Sequence, residues 1–211
     1  MDSFAKKHKT FFCKPVGSSG GRGAKVIKKD QYDFDKLLSA YKKGFLAEEL
    51  VKNRIEIRQI NESLLNTVRI STVLKDEGTD IAFCFIRFGR AGMEMDNGFM
   101  GGIICSIDKK TGIITNTADE NNNRYLIHPD SGSQLVGFMI PKWSEAIDMA
   151  KELATVVPTN RYMAWDLALT DNGWVMIEGN CKGQFVGPQC TERKGVKTMI
   201  ENYLKQIKEY K

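Results

Sequence analysis

No stretch of this chain is apolar for long enough to cross a bilayer, and the start Met1-Asp2-Ser3-Phe4-Ala5-Lys6-Lys7 lacks the core of a signal peptide. A membrane-spanning or exported protein is therefore not expected, and the cytoplasm is. Cysteine is sparse and odd in number: Cys13, Cys84, Cys105, Cys181 and Cys190 show neither the close pairing of a zinc site nor a redox motif, so reduced thiols are expected. Only two histidines occur, and no serine–histidine–aspartate or cysteine–histidine arrangement can be assembled around them. Internal repeats and low-complexity linkers are missing as well. Charge is nearly balanced: 31 basic against 26 acidic residues leave +5, spread along the chain, which disfavours nucleic acid as a partner and fits a solvated surface.

What is present is ordinary globular material, 42% hydrophobic and 27% charged, enough for one large domain or two small lobes. Thr10 to Lys14 and Ala24 to Ile27 read as short strands flanking Gly17-Ser18-Ser19-Gly20-Gly21-Arg22-Gly23, so this glycine loop is the tip of a hairpin. Neither a Walker loop nor a dinucleotide fingerprint fits there, because both need the glycines to lead into a helix. Phe34, Leu37, Leu38 and Tyr41 at helical spacing after Asp33, with Gly44 as a stop, predict a short helix. A strand over Phe45 to Val51 follows, then antiparallel pairs Leu65 to Leu74 with Ile81 to Phe88, and Gly102 to Asp108 with Ile113 to Ala118. Helices are expected over Trp143 to Val157 and around Val196, Ile200, Tyr203, Leu204 and Ile207. Trp143, Trp165 and Trp174 read as packing residues.

Two segments carry chemistry. Lys14 beside the glycine loop suits phosphates, since a point charge and amides without a β-carbon can approach their oxygens. Later, Tyr162 to Leu169 and Trp174 to Glu178 flank Asp171-Asn172-Gly173 as a hairpin. A three-residue loop bulged at Gly173 would set Asp166 opposite Glu178, whereas a two-residue Asn172-Gly173 turn would send them to opposite faces. Opposed carboxylates repel unless a cation lies between them, and Asn180 adds an oxygen on the same face, an oxygen-only set suited to magnesium. A lone buried acid at Asp166 and an exposed strand-end Glu178 is the alternative the residues leave open.

Lys14-Pro15 before a glycine hairpin, the acidic strand Ala47-Glu48-Glu49-Leu50-Val51 and the late Asp166 with Glu178-Gly179-Asn180 resemble the ATP-grasp superfamily. Asn66-Thr67-Val68-Arg69, Ile86-Arg87-Phe88-Gly89-Arg90, Asp96-Asn97-Gly98, Gly101-Gly102-Ile103, His128-Pro129-Asp130 and Trp165-Asp166-Leu167-Ala168 resemble its sugar-transfer-associated branch. The resemblance implies an α+β fold of two lobes with antiparallel sheets and packed helices. Residues 1–52 would form a partial lid lobe and 53–211 the carboxy-terminal lobe with the metal strands. It implies ATP and magnesium as cofactors: Lys14, Gly20, Gly21 and Gly23 at the phosphates, Glu48, Glu49 and Val51 at adenine, Glu56 at the ribose, and Asp166, Glu178 and Asn180 at the metal. Arg69, Arg87 and Lys182 are candidates to grip a phosphate or an acyl substrate, with Arg90 and the loop residues Asp96 and Asn97 beside them. For His128 a turn or packing role is favoured over catalysis.

The implied reaction is ATP-dependent ligation of a small-molecule carboxylate to an amine or sugar acceptor through an acylphosphate, in capsule, cell-wall or glycan precursor synthesis. A kinase, or a nucleotide-binding module without catalysis, shares the same half-site. Family members also carry an upstream lobe and lysine, and only thirteen residues precede Lys14. A shortened gene, a substitute among Lys6, Lys7 and Lys9, or a partner chain completing the site is the expectation, with a homo-oligomer following from the uncovered edge.

Overall fold

The computed structural model describes residues 4, 7–18, 21–28, 33–62, 64–92 and 101–207. Gly20, Lys6, Asp96 and Asn97 lie outside these residues. The chain divides into two units, Met1–Val51 and Lys52–Lys211.

In the first unit, β1 (Thr10–Pro15), β2 (Lys25–Lys28) and β3 (Phe45–Glu49) form an antiparallel sheet in the order β2-β1-β3. The helix α1 (Phe34–Ala40) begins where its sequence dictates: the Asp33 carboxylate caps it by accepting from the amides of Asp35 and Lys36 at 2.9 and 3.3 Å. Alternation sends Phe11, Cys13 and Ile27 into a small core with Leu37, against which Tyr41, Phe45 and Ala47 pack. Leu38, expected on the same helix face, is exposed instead, because this seven-residue helix presents one narrow stripe to the sheet. On the other sheet face, Val26 and Leu46 are 51% and 56% exposed beside Phe12 and Lys14.

The second unit contains α2 (Ile55–Arg58), β4 (Val68–Lys75), β5 (Gly78–Phe88), β6 (Ile103–Ile107), β7 (Ile114–Ala118), α3 (Trp143–Val156), β8 (Tyr162–Thr170), β9 (Gly173–Asn180), α4 (Val186–Glu192) and α5 (Lys197–Leu204). Its sheet runs β7-β6-β5-β4-β8-β9, every neighbouring pair antiparallel. One face is apolar: Val68, Ile70, Ile86, Phe88, Ile103, Cys105, Trp165 and Leu167 pack on Trp143, Ala146 and Ala150 of α3. Burial pushes the Cys84 and Cys105 thiols up, which keeps them protonated. On the opposite face α4 is fastened over β5 and β6. Gly187 lies against the Phe85 ring, the Ser106 and Thr191 hydroxyls meet at 2.5 Å, and Arg124 donates to the Cys190 and Thr191 carbonyls. The terminal helix α5 buries none of its residues fully, so its apolar stripe is a weaker anchor than its spacing suggests.

β4 starts three residues later than expected from the apolar run. The backbone of Asn66 bonds to a side chain: Asn53 accepts from its amide at 2.7 Å and donates to its carbonyl at 3.0 Å. Asn53 also lies 3.4 Å from the Leu169 carbonyl, and Asn66 donates to the Asn61 carbonyl at 2.9 Å, so buried amides tie this entry segment to the sheet. Asn53→Ala should therefore cost about 1–3 kcal/mol for each buried group left without a partner, read as a lower urea midpoint at unchanged slope.

Candidate functional site

The β8–β9 hairpin closes with Thr170 paired to Gly173, a two-residue Asp171-Asn172 turn in place of the expected three-residue loop. Gly173 sits at φ +108°, where a side chain would be strained. Past Leu167, which pairs with Met176, the register shifts and Asp166 pairs with Glu178, leaving Ile177 as the extra residue of a bulge. Asp166 thus faces Glu178 by a route different from the one expected. The tight turn alone would have misaligned them, and the bulge restores the pairing. Asn180 opposes Ala164, two residues from Asp166 and on its face of the sheet. Gly179 allows β9 to lie this close, since a β-carbon there would come within 2.6 Å of the Trp165 ring.

Asp166 is 2% exposed and carries a charge into the sheet. Arg69, its register partner on β4, grips it with both arms of a fork, Nε to Oδ1 at 2.7 Å and Nη2 to Oδ2 at 2.6 Å. Arg87 on β5 adds Nη2 to Oδ2 at 3.0 Å and spans to the Thr67 hydroxyl at 2.5 Å. Arg69 also stacks over the Phe85 ring at 5.8 Å. Burial on its own would raise the Asp166 pKa, yet the charge of Arg87 and the bonded guanidinium of Arg69 hold it below the ordinary value. Glu178 is exposed opposite Asp166 in the register, and Asn180 donates to Glu178 Oε1 at 3.2 Å.

This donor set fits a hard cation. Glu178 and Asn180 offer oxygens at the accessible edge of the sheet, and Asp166, with about four lone-pair positions and three of them used by guanidinium N–H groups, retains about one. Among the described residues no cluster of three or more histidine, cysteine, aspartate or glutamate side chains could hold a metal; a site at Asp166 and Glu178 would have to take a third protein oxygen from the Asn180 amide.

Other expected site residues are placed as follows. In the first unit, Lys14 pairs with Glu48 at 2.7 Å on the open face, while Glu49 points the other way to His8 at 3.2 Å. Gly21 and Gly23 hold positive φ in the loop. Val51 ends that unit. In the second unit, Glu56 is paired with Arg54 at 2.9 Å, and Lys182 is exposed just after β9. Arg90 bonds Asp130 at 3.2 Å instead of joining the other two arginines. His128 is 1% exposed; its Nε2 lies 3.0 Å from the Gly89 carbonyl and its Nδ1 accepts from the Asp130 amide at 3.4 Å. Thr67, which steadies Arg87, entered the sequence reading only inside the motif Asn66-Thr67-Val68-Arg69, without a role of its own, because the contact exists only once β4 and β5 are paired.

The family model described as sugar-transfer associated ATP-grasp matches residues 36–208. The chain belongs to this family. Its fold resembles that of the ATP-grasp ligase PsnB complexed with precursor peptide PsnA2 and AMPPNP, with a TM-score of 0.56 at 12% identity over 97% of this chain and 49% of that one. PsnB complexed with minimal precursor, Mg and ADP gives a TM-score of 0.55 at 12% identity, covering 97% and 48%. The chain thus spans about half the length of these structures. No curated protein matches it in sequence. Among the described residues no helix is long and apolar enough to cross a membrane.

The buried ion cluster gives a testable pH dependence. A carboxyl whose pKa is lowered by folding confers stability that is complete above the ordinary value of 3.8 and is lost as pH falls through the lowered one. Asp166→Asn should cost about 3–5 kcal/mol at neutral pH by leaving two guanidiniums without their counter-ion. In urea unfolding, the gap to wild type should hold above pH 3.8 and close below it.

Proposed function

We propose that this chain carries the nucleotide- and magnesium-holding part of an ATP-grasp ligase, which uses ATP to activate a carboxylate as an acylphosphate for capture by an amine or similar nucleophile. The observation that carries the reading is the convergence of Asp166, Glu178 and Asn180 on one sheet face beside Arg69 and Arg87, in a chain of this family.

Glu178 and Asn180 would hold magnesium, with the remaining lone pair of Asp166 as a third donor. When bound, the ion supplies charge neutralisation at the terminal phosphates. Arg69 and Arg87 present planar donors that suit phosphate or carboxylate oxygens, fixed in advance by Asp166, Thr67 and the Phe85 ring. Lys14 would provide a point charge for the α and β phosphates, and the amides at Gly21 and Gly23 would be donors to their oxygens. Phe12, Val26 and Leu46 offer an apolar surface for the adenine base, with the backbone of Glu48, Glu49 and Val51 at its edge. Glu56 serves the ribose and Lys182 the acyl group. No enzyme nucleophile is needed. In this reading residues 1–52 act as the lid lobe and 53–211 as the metal-bearing lobe. The acceptor belongs to capsule, cell-wall or related glycan precursor synthesis, supported by the family's association with sugar transfer.

Calorimetric titration with ATP tests the assignment. Lys14→Ala should weaken binding by about tenfold, and Glu178→Gln should weaken the magnesium-dependent part of the affinity more than the magnesium-free part. Equal ATP affinity in wild type and Lys14→Ala would remove the lysine from the phosphate site. ADP and inorganic phosphate accumulating with an amide or ester product identify a ligase; a phosphorylated product identifies a kinase.

A further inference from the structure

Asp166 is wanted by two kinds of partner at once. Three N–H groups from Arg69 and Arg87 already use most of its lone pairs, at 2.6 to 3.0 Å. The charges of Arg69, Arg87, Asp166 and Glu178 sum to zero. A divalent cation added alone would leave this cluster at +2 beside two guanidiniums, and it would find a carboxylate with little left to give. An anion added alone would meet guanidiniums whose donors are turned inward to Asp166.

Each problem is relieved by the other ligand. Both arginines have a second anchor that does not depend on Asp166: the Thr67 hydroxyl for Arg87 and the face of Phe85 for Arg69. They can stay in place while the carboxylate turns away. Guanidinium N–H groups given up by Asp166 would then be satisfied by the oxygens of a phosphate-bearing ligand, which match the fork as a carboxylate does.

Resting on the function proposed above, we infer that Asp166 is a partner-exchanging residue. It neutralises Arg69 and Arg87 in the ligand-free protein and passes to the cation only when a phosphate-bearing ligand takes its place on the arginines. Cation and anion bind this cluster cooperatively, and each binds poorly alone.

Charge-conserving variants of the full chain test the exchange, with free Mn2+ followed by electron paramagnetic resonance. Arg69→Lys keeps the positive charge but loses the fork, so nucleotide-free Mn2+ binding should tighten by about tenfold. Adding Asp166→Asn to that variant should abolish the gain. Arg87→Lys should act in the same direction and serves where Arg69→Lys does not fold, as judged by circular dichroism. In wild type, the arginine Nε–H nuclear magnetic resonance signal of Arg69 should move on adding Mg2+ with ADP and stay in place with Mg2+ alone. If both lysine variants bind Mn2+ like wild type while Asp166→Asn still weakens binding of Mn2+ with ADP, the exchange is overturned and the metal role of Asp166 stands. If Asp166→Asn leaves binding of Mn2+ with ADP unchanged, the metal role falls and the exchange with it.

Discussion

Two guanidinium groups on neighbouring strands, 13% and 15% exposed, cannot remain side by side without a negative charge between them. Asp166 supplies it from the next strand, so β5, β4 and β8 are tied together by one ion cluster on a face that elsewhere packs aromatic rings. The cluster also constrains register. A slip of one residue between β4 and β8 would turn Arg69 into the apolar layer of Ile70 and Trp165 and carry Val68 or Ile70 to the carboxylate. Charge pairing on one face and apolar packing on the other therefore select the same alignment.

That alignment decides where the accessible acid stands. Asp166 is enclosed, while Glu178, its partner across the hairpin, lies exposed on β9 at the edge of the described sheet. The two carboxyl groups share a face but not an environment: one is held by cations, the other meets solvent and an amide. Edges and sites are where bulges concentrate, and the bulge at Ile177 is what aims Glu178 at Asp166.

Much of this was legible in the residues. Alternation and turn chemistry located the strands, Asp33 marked the start of a helix, and ordered motifs from Asn66 to Asn180 matched the family to which the chain belongs. The facing of Asp166 and Glu178 was also expected, though from a wider turn. The apolar run Trp174 to Ile177 does not itself place a bulge at Ile177, and Gly179 two residues on is only a general sign of strand irregularity; the position follows from what must face what across the ladder. The ion cluster that Arg69 and Arg87 form with Asp166 was not legible, because their mutual partner lies far along the chain, beyond the reach of spacing arguments. Asn53 drew no attention in the sequence and Asn66 only as part of a motif, because their value lies in closing hydrogen bonds between segments more than ten residues apart.

The neighbours of His128 settle which of its nitrogens holds the hydrogen. A carbonyl can only accept, so the nitrogen facing Gly89 must be the protonated one; a backbone amide can only donate, so the nitrogen facing Asp130 must be bare. One tautomer satisfies both, and in it neither side of the ring has a lone pair or a hydrogen to spare. The imidazole is a strut joining the end of β5 to the Pro129 turn, held through both of its nitrogens.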